Sequence, residues 1–228
     1  MIVPMTDLPV DATRALVAQY ALITEITDEL SPEEMTKPTR CASWTITDLL
    51  FHILGYAQRA LVAFASPADD VPDVDFISYW KPFKPSNDIG LAHARYIRIG
   101  ASAYASPDGL KRHWRSTSSA ACRAAAACDA PAVETQGHVL SVPGFIATLA
   151  TEAAIHYLDM TLELPDAPPP DPGALEITKH VLDGLLGASA PPDWDLETYI
   201  LKGTGRALLT ASDEAALGPS VERFPLLG

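Results

Sequence analysis

The chain has 228 residues, of which 48% are hydrophobic and 20% charged, and its formal net charge is -13. That length suits one sizeable core with a smaller appendage, while the charge repels phosphate backbones and anionic lipid headgroups and so excludes nucleic acid and a membrane surface as partners. The cysteines, Cys41, Cys122 and Cys128, lack CxxC spacing, and neither a basic, apolar leader nor a run of about eighteen apolar residues occurs, so the expected setting is the cytoplasm, without disulfides or a thiolate zinc cage.

From Val10 to Leu30 the apolar positions Leu16, Tyr20, Ile23, Ile26 and Leu30 recur at steps of three and four, which predicts a first helix with one buried face. Ser31-Pro32-Glu33-Glu34 combines an N-cap serine, proline at the first helical position and glutamate at the third, the pattern of a short capped turn. A connection through Cys41 and Trp44 leads to Thr45-Ile46-Thr47-Asp48, where Thr45 caps a second helix and Asp48 sits in its first turn. The core stripe of that helix is Ile46, Leu50, Ile53, Ala57, Ala60, Leu61 and Phe64, and His52 lies nearly opposite, beside Asp48, Gly55, Tyr56 and Arg59.

Between Ser66 and Asn87 the prolines and the aromatics Phe76, Tyr79, Trp80 and Phe83 predict a long loop, either a crossover pinned by its aromatics or a lid. Helical pattern returns through Ile89, Ala92, Tyr96, Ile99 and Ala103, breaks near Ser106-Pro107-Asp108-Gly109 and resumes from Leu110 to Cys128. Gly137 to Val142 is short, β-branched and ambiguous. Pro143 then suits the first turn of a fourth helix reaching to about Leu164. The prolines between Leu164 and Gly173 predict an extended connector, so the expected division is a bundle over 1–164, a linker over 165–173 and a small helical segment over 174–228. In that segment helices are expected at Ala174–Leu186, Leu196–Lys202 and Ser212–Leu217, the first and last closed by Gly187 and Gly218.

On the fourth helix Glu152 and His156 stand one turn apart on the side that also carries Asp159 and Glu163. Apolar stripes flank that side, Ile146, Ala150, Ala153, Tyr157, Met160 and Leu164 on one edge and Ile155, Leu158 and Leu162 on the other, so the strip is either a solvated face or the lining of a cleft. His52 from the second helix would complete two imidazoles and one carboxylate, a standard ligand set for a divalent cation with one position left open. His93, His113, His138 and His180 have no acidic or histidine partner at ligand spacing and are expected to be structural or exposed. Gly203-Thr204-Gly205-Arg206 lacks the lysine and the strand-to-helix context of a phosphate loop, and its glycines fit the end of a helix.

Pro38 to His52, with Trp44-Thr45-x-x-Asp48-Leu49-x-x-His52, resembles the N-terminal signature of the mycothiol-dependent maleylpyruvate isomerase family within the DinB/YfiT-like superfamily. Glu152-x-x-x-His156-x-x-Asp159 resembles the family's second motif, and the tail from Gly203 to Gly228 is similar to the ending of its shorter members, those without the large C-terminal domain. The resemblance implies an all-α fold, a DinB-like four-helix bundle of up-down-down-up topology with a small C-terminal helical extension. It implies His52, Glu152 and His156 as ligands of zinc or nickel, and mycothiol as the thiol that isomerises a small electrophile or is transferred to it, in a monomer or homodimer. Asp159 becomes the candidate for orienting a ligand imidazole and Arg206 the candidate for meeting an anionic substrate. The competing expectation is a non-catalytic metal- or ligand-binding bundle in stress response or regulation, since bundles are reused widely.

Overall fold

Asp11 accepts a hydrogen bond from the Arg14 amide at 3.0 Å and thereby starts α1 (Ala12–Glu29). The computed structural model, which describes residues 7–82 and 87–227, continues into α2 (Ile46–Phe64), opened by a reciprocal capping box between Thr45 and Asp48. After the two-residue strand β1 (Pro67–Ala68) come α3 (Asn87–Ser102) and α4 (Pro107–Ala127), separate helices on either side of the break expected near Ser106. Strands β2 (Ala132–Thr135) and β3 (His138–Ser141) follow as a hairpin turning through Gln136 and Gly137, both at positive φ, with β1 pairing antiparallel to β2. Next is α5 (Val142–Met160), capped by Ser141 with Pro143 in its first turn, and then α6 (Pro172–Leu186), α7 (Leu196–Gly203) and α8 (Ala211–Leu217).

Pairwise packing of α1 on α5, α5 on α2, α2 on α4 and α4 on α1 encloses the core, with α6 against α1 and α5. Within it Leu16, Tyr20, Ile23 and Ile26 of α1 are buried as their spacing predicts, and Trp114 of α4 meets Tyr20 edge-on while donating to Thr24 Oγ1 at 2.9 Å. The proline-rich stretch after α5 is tied to the bundle: Tyr157 donates to the Pro168 carbonyl at 2.7 Å, and Gln19 accepts from the Asp171 amide at 2.9 Å. No described helix is long and apolar enough to cross a membrane.

Two expectations change here. Ala92, Tyr96 and Ile99 of α3 face outward, as does Ala103 just past its end, and the helix instead buries Ile97 and Ala101, because α2 is its main neighbour. Gly100 sets that approach: a Cβ there would stand 2.3 Å from the Phe51 ring. The small sheet is the second change, its strands too short to announce themselves by alternation. It helps anchor the segment after α2, in which Phe76, Tyr79 and Trp80 are buried and Asp73 accepts from the Val139 amide at 2.7 Å. Phe83 lies outside the described residues.

Candidate metal centre

Three side chains from two helices converge. His52 of α2 and His156 of α5 face each other through their Nε2 atoms at 3.1 Å, and a Glu152 carboxylate oxygen lies 3.0 Å from His156 Nε2. One ligand atom from each of the three lies within 4.8 Å of the others. The α5 spacing explains the Glu152–His156 contact, because residues four apart are vertical neighbours on one helix face. The polar strip of α5 is therefore largely an interior surface: both histidines are buried, Asp159 has no exposed surface, Glu152 is half-buried, and Glu163, past the end of α5, is exposed.

The outer ring nitrogens have partners too. His156 Nδ1 is 2.9 Å from Asp159 Oδ2, and His52 Nδ1 is 3.1 Å from His93 Nε2 of α3. Asp159 also accepts from Arg206, Nε to Oδ1 at 3.0 Å and Nη2 to Oδ2 at 3.0 Å, and from the Cys41 thiol at 3.2 Å. The turn carrying Cys41 is fixed to the end of α5, since the Arg40 amide donates to the Asp159 carbonyl at 3.2 Å and the Arg40 guanidinium bonds the Leu158 carbonyl. Ser43 in the same turn has φ 66°, the left-handed region, and Trp44 after it lays its ring 5.0 Å from that of His52.

Electrostatics follow from this packing. Burial, the His156 charge and the neighbouring His93 hold His52 well below the usual histidine range, so its imidazole is neutral. Burial would lower His156 as well, but Asp159, Cys41 and Glu152 outweigh it and raise the group well above that range. Burial opposes ionisation of Glu152 and Asp159, yet His156 keeps Glu152 below the usual carboxylate range, and His156 with Arg206 does the same for Asp159. Tyr56, whose phenol faces Glu152, is raised by burial and then by that carboxylate.

The donor set suits a divalent ion: two nitrogens and one oxygen point to one place, and each imidazole has an outer partner that can fix its tautomer. Cys41, His156 and Asp159 form a second close group of potential ligands, but the Arg206 guanidinium already neutralises Asp159 there. A groove of about 680 Å³ runs between Ala42–Trp44 and α3, lined by Arg95, Arg98, Leu91 and Ile99 among others, and shares Trp44 with the surroundings of His52. Neither of these two arginines forms an ion pair or hydrogen bond with the described residues.

The sequence-level candidates thus fall into two groups. His52, Glu152 and His156 meet at one point; Asp159 sits behind His156, and Arg206 donates to Asp159. His93 is the residue that sequence reasoning misses: spacing along its own helix shows no partner, and its partner, His52, lies on α2. A family model described as the mycothiol maleylpyruvate isomerase N-terminal domain matches residues 16–161, a span containing His52, Glu152, His156 and Asp159 but not Arg206. No curated protein and no solved structure matches the chain. With well over half its length matched, from within α1 to just past α5, the chain belongs to the mycothiol maleylpyruvate isomerase N-terminal domain family.

Proposed function

We propose that the chain is a metal-dependent enzyme that joins the sulfur of a low-molecular-weight thiol, mycothiol, to a small electrophile with an activated double bond. In S-transfer the new carbon–sulfur bond is kept and a proton is added at the neighbouring carbon; in cis–trans isomerisation the bond breaks again after rotation and the thiol leaves. The observation that carries this reading is the convergence of His52, Glu152 and His156 in a family named for that thiol.

These three residues would hold zinc or nickel, with a position left for the thiol. A cation bound there lowers a thiol's pKa towards neutrality and so favours the thiolate, the nucleophilic form. Asp159 takes the Nδ1 proton of His156 as a hydrogen bond and leaves Nε2 free to face inward. Trp44 shields His52 from solvent, and the Tyr56 phenol, kept protonated by burial and by Glu152, offers a donor beside the carboxylate. Arg95 and Arg98, without an ion pair among the described residues of a chain of net charge -13, suit a carboxylate on the incoming electrophile.

Protein purified without added metal should carry about one divalent ion per chain, lost in His52→Ala and His156→Ala. Incubation with mycothiol and a panel of activated alkenes, followed by mass spectrometry, should give isomers or adducts only with the metal-loaded protein. Equal, negligible metal in the native protein and both variants sinks the site assignment. Saturable binding without product would favour a non-catalytic bundle.

A further inference from the structure

His93 carries no assigned role, yet its Nε2 stands 3.1 Å from Nδ1 of His52 and the two rings lie 5.1 Å apart, edge to face. A ligating imidazole whose Nε2 faces a cation must keep its proton on Nδ1, and that proton needs an acceptor. For His156 the acceptor is Asp159, a carboxylate on the same helix, buried and held by Arg206. For His52 the partner at that place among the described residues is an imidazole on a different helix. The two arms of the site are therefore anchored unequally, one by a charge inside the bundle and one by α3, whose main neighbour is α2.

We propose that His93 is a positioning residue for His52, fixing its tautomer and ring orientation and so making retention of the metal depend on where α3 sits. This rests on the metal reading given above. α3 also supplies Leu91, Arg95, Arg98 and Ile99 to the groove, so one helix bears both the groove wall and the anchor of a ligand. Among the described residues His93 bonds the proposed ligands through His52, with Trp44 and Tyr96 flanking its ring at 6.2 and 6.5 Å.

The test is zinc affinity, measured by competition with a chromophoric chelator on the full chain, for the native protein and for His52→Ala, His93→Phe and His93→Gln. Thermal unfolding of each variant checks the fold, which should hold because His93 is exposed on its outer side. His93→Phe should weaken zinc binding by roughly tenfold to a hundredfold, and His93→Gln, whose amide oxygen can accept from Nδ1, should recover most of the loss. If the native protein binds zinc, His52→Ala abolishes it and His93→Phe binds as tightly as the native chain, His93 is no anchor and the inference falls alone. Failure of glutamine to recover what phenylalanine loses would overturn it too, pointing to packing of α3 in place of the hydrogen bond. A native protein that binds no zinc overturns the metal reading and this inference with it.

Discussion

Arg206 and Asp159, separated by 47 residues, form an ion pair with no exposed carboxylate surface, Nη2 to Oδ2 at 3.0 Å and Nε to Oδ1 at 3.0 Å. Because Asp159 in turn holds His156, a side chain from beyond α7 supports a residue of α5 at one remove. Arg206→Ala leaves a buried carboxylate without its cation and should cost about 3 kcal/mol in urea unfolding. Arg206→Lys, which keeps the charge but not the fork, should fall between the two. Unchanged stability in Arg206→Ala would show that the pair contributes nothing.

The capping box at the start of α2 offers a local counterpart. Thr45 Oγ1 accepts from the Asp48 amide at 3.3 Å, and an Asp48 oxygen accepts from the Thr45 amide at 2.9 Å. Thr45→Ala should lower stability by about 1 kcal/mol, and Thr45→Ser should restore it. His52 lies in the second turn after this cap, so the same variant should also show slightly weaker zinc retention.

Burial pushes the Cys122 thiol from 9.0 up to about 11, against a small opposing effect of Arg123. The folded state thus favours the protonated thiol, a contribution present in full below about pH 9 and lost as pH rises towards 11. Alkylation of Cys122 by iodoacetamide at pH 8 should be roughly a hundredfold slower in the folded chain than in urea, the thiolate fraction falling tenfold per pKa unit. Peptide mapping after timed quenching reads this directly; equal rates in both states would contradict it.

For the groove, Arg95→Gln with Arg98→Gln should raise KM for a carboxylate-bearing alkene by about fivefold to tenfold, the scale of exposed charge contacts. KM for the neutral methyl ester of the same alkene should not move. The difference should shrink at roughly 1 M salt, where the screening length is about 3 Å. An equal effect on acid and ester would assign the arginines to shape, not charge.

Helices were plain from the sequence wherever one face packs on the core: α1 follows its Leu16, Tyr20, Ile23 and Ile26 spacing, and Thr45, Pro143, Gly187 and Gly218 mark ends where propensity and capping agree. On α3 periodicity misled, since Tyr96 and Ile99 are 63% and 58% exposed while Ile97 is buried. A helix with one main neighbour buries a narrow stripe, and several apolar stripes compete for it on a helical wheel. Contacts between helices have no signature in spacing, which is why His93 on His52 and Arg206 on Asp159 became visible only with the fold. The β2–β3 hairpin is only half legible for another reason: β3 falls in the ambiguous Gly137 to Val142 stretch, and four residues per strand are too few for alternation to stand out, even with Gln136-Gly137 at the turn.

The missing side chain at Gly100 has a wider consequence. Phe51, the ring it accommodates, immediately precedes His52, so the bulk shared between positions 51 and 100 fixes how deep His93 reaches. A side chain at position 100 would therefore act on the place of His93 by sterics alone, through a pair that offers neither a charge nor a lone pair. The gap between two helices serves as a gauge, and a methyl group is enough to change its setting.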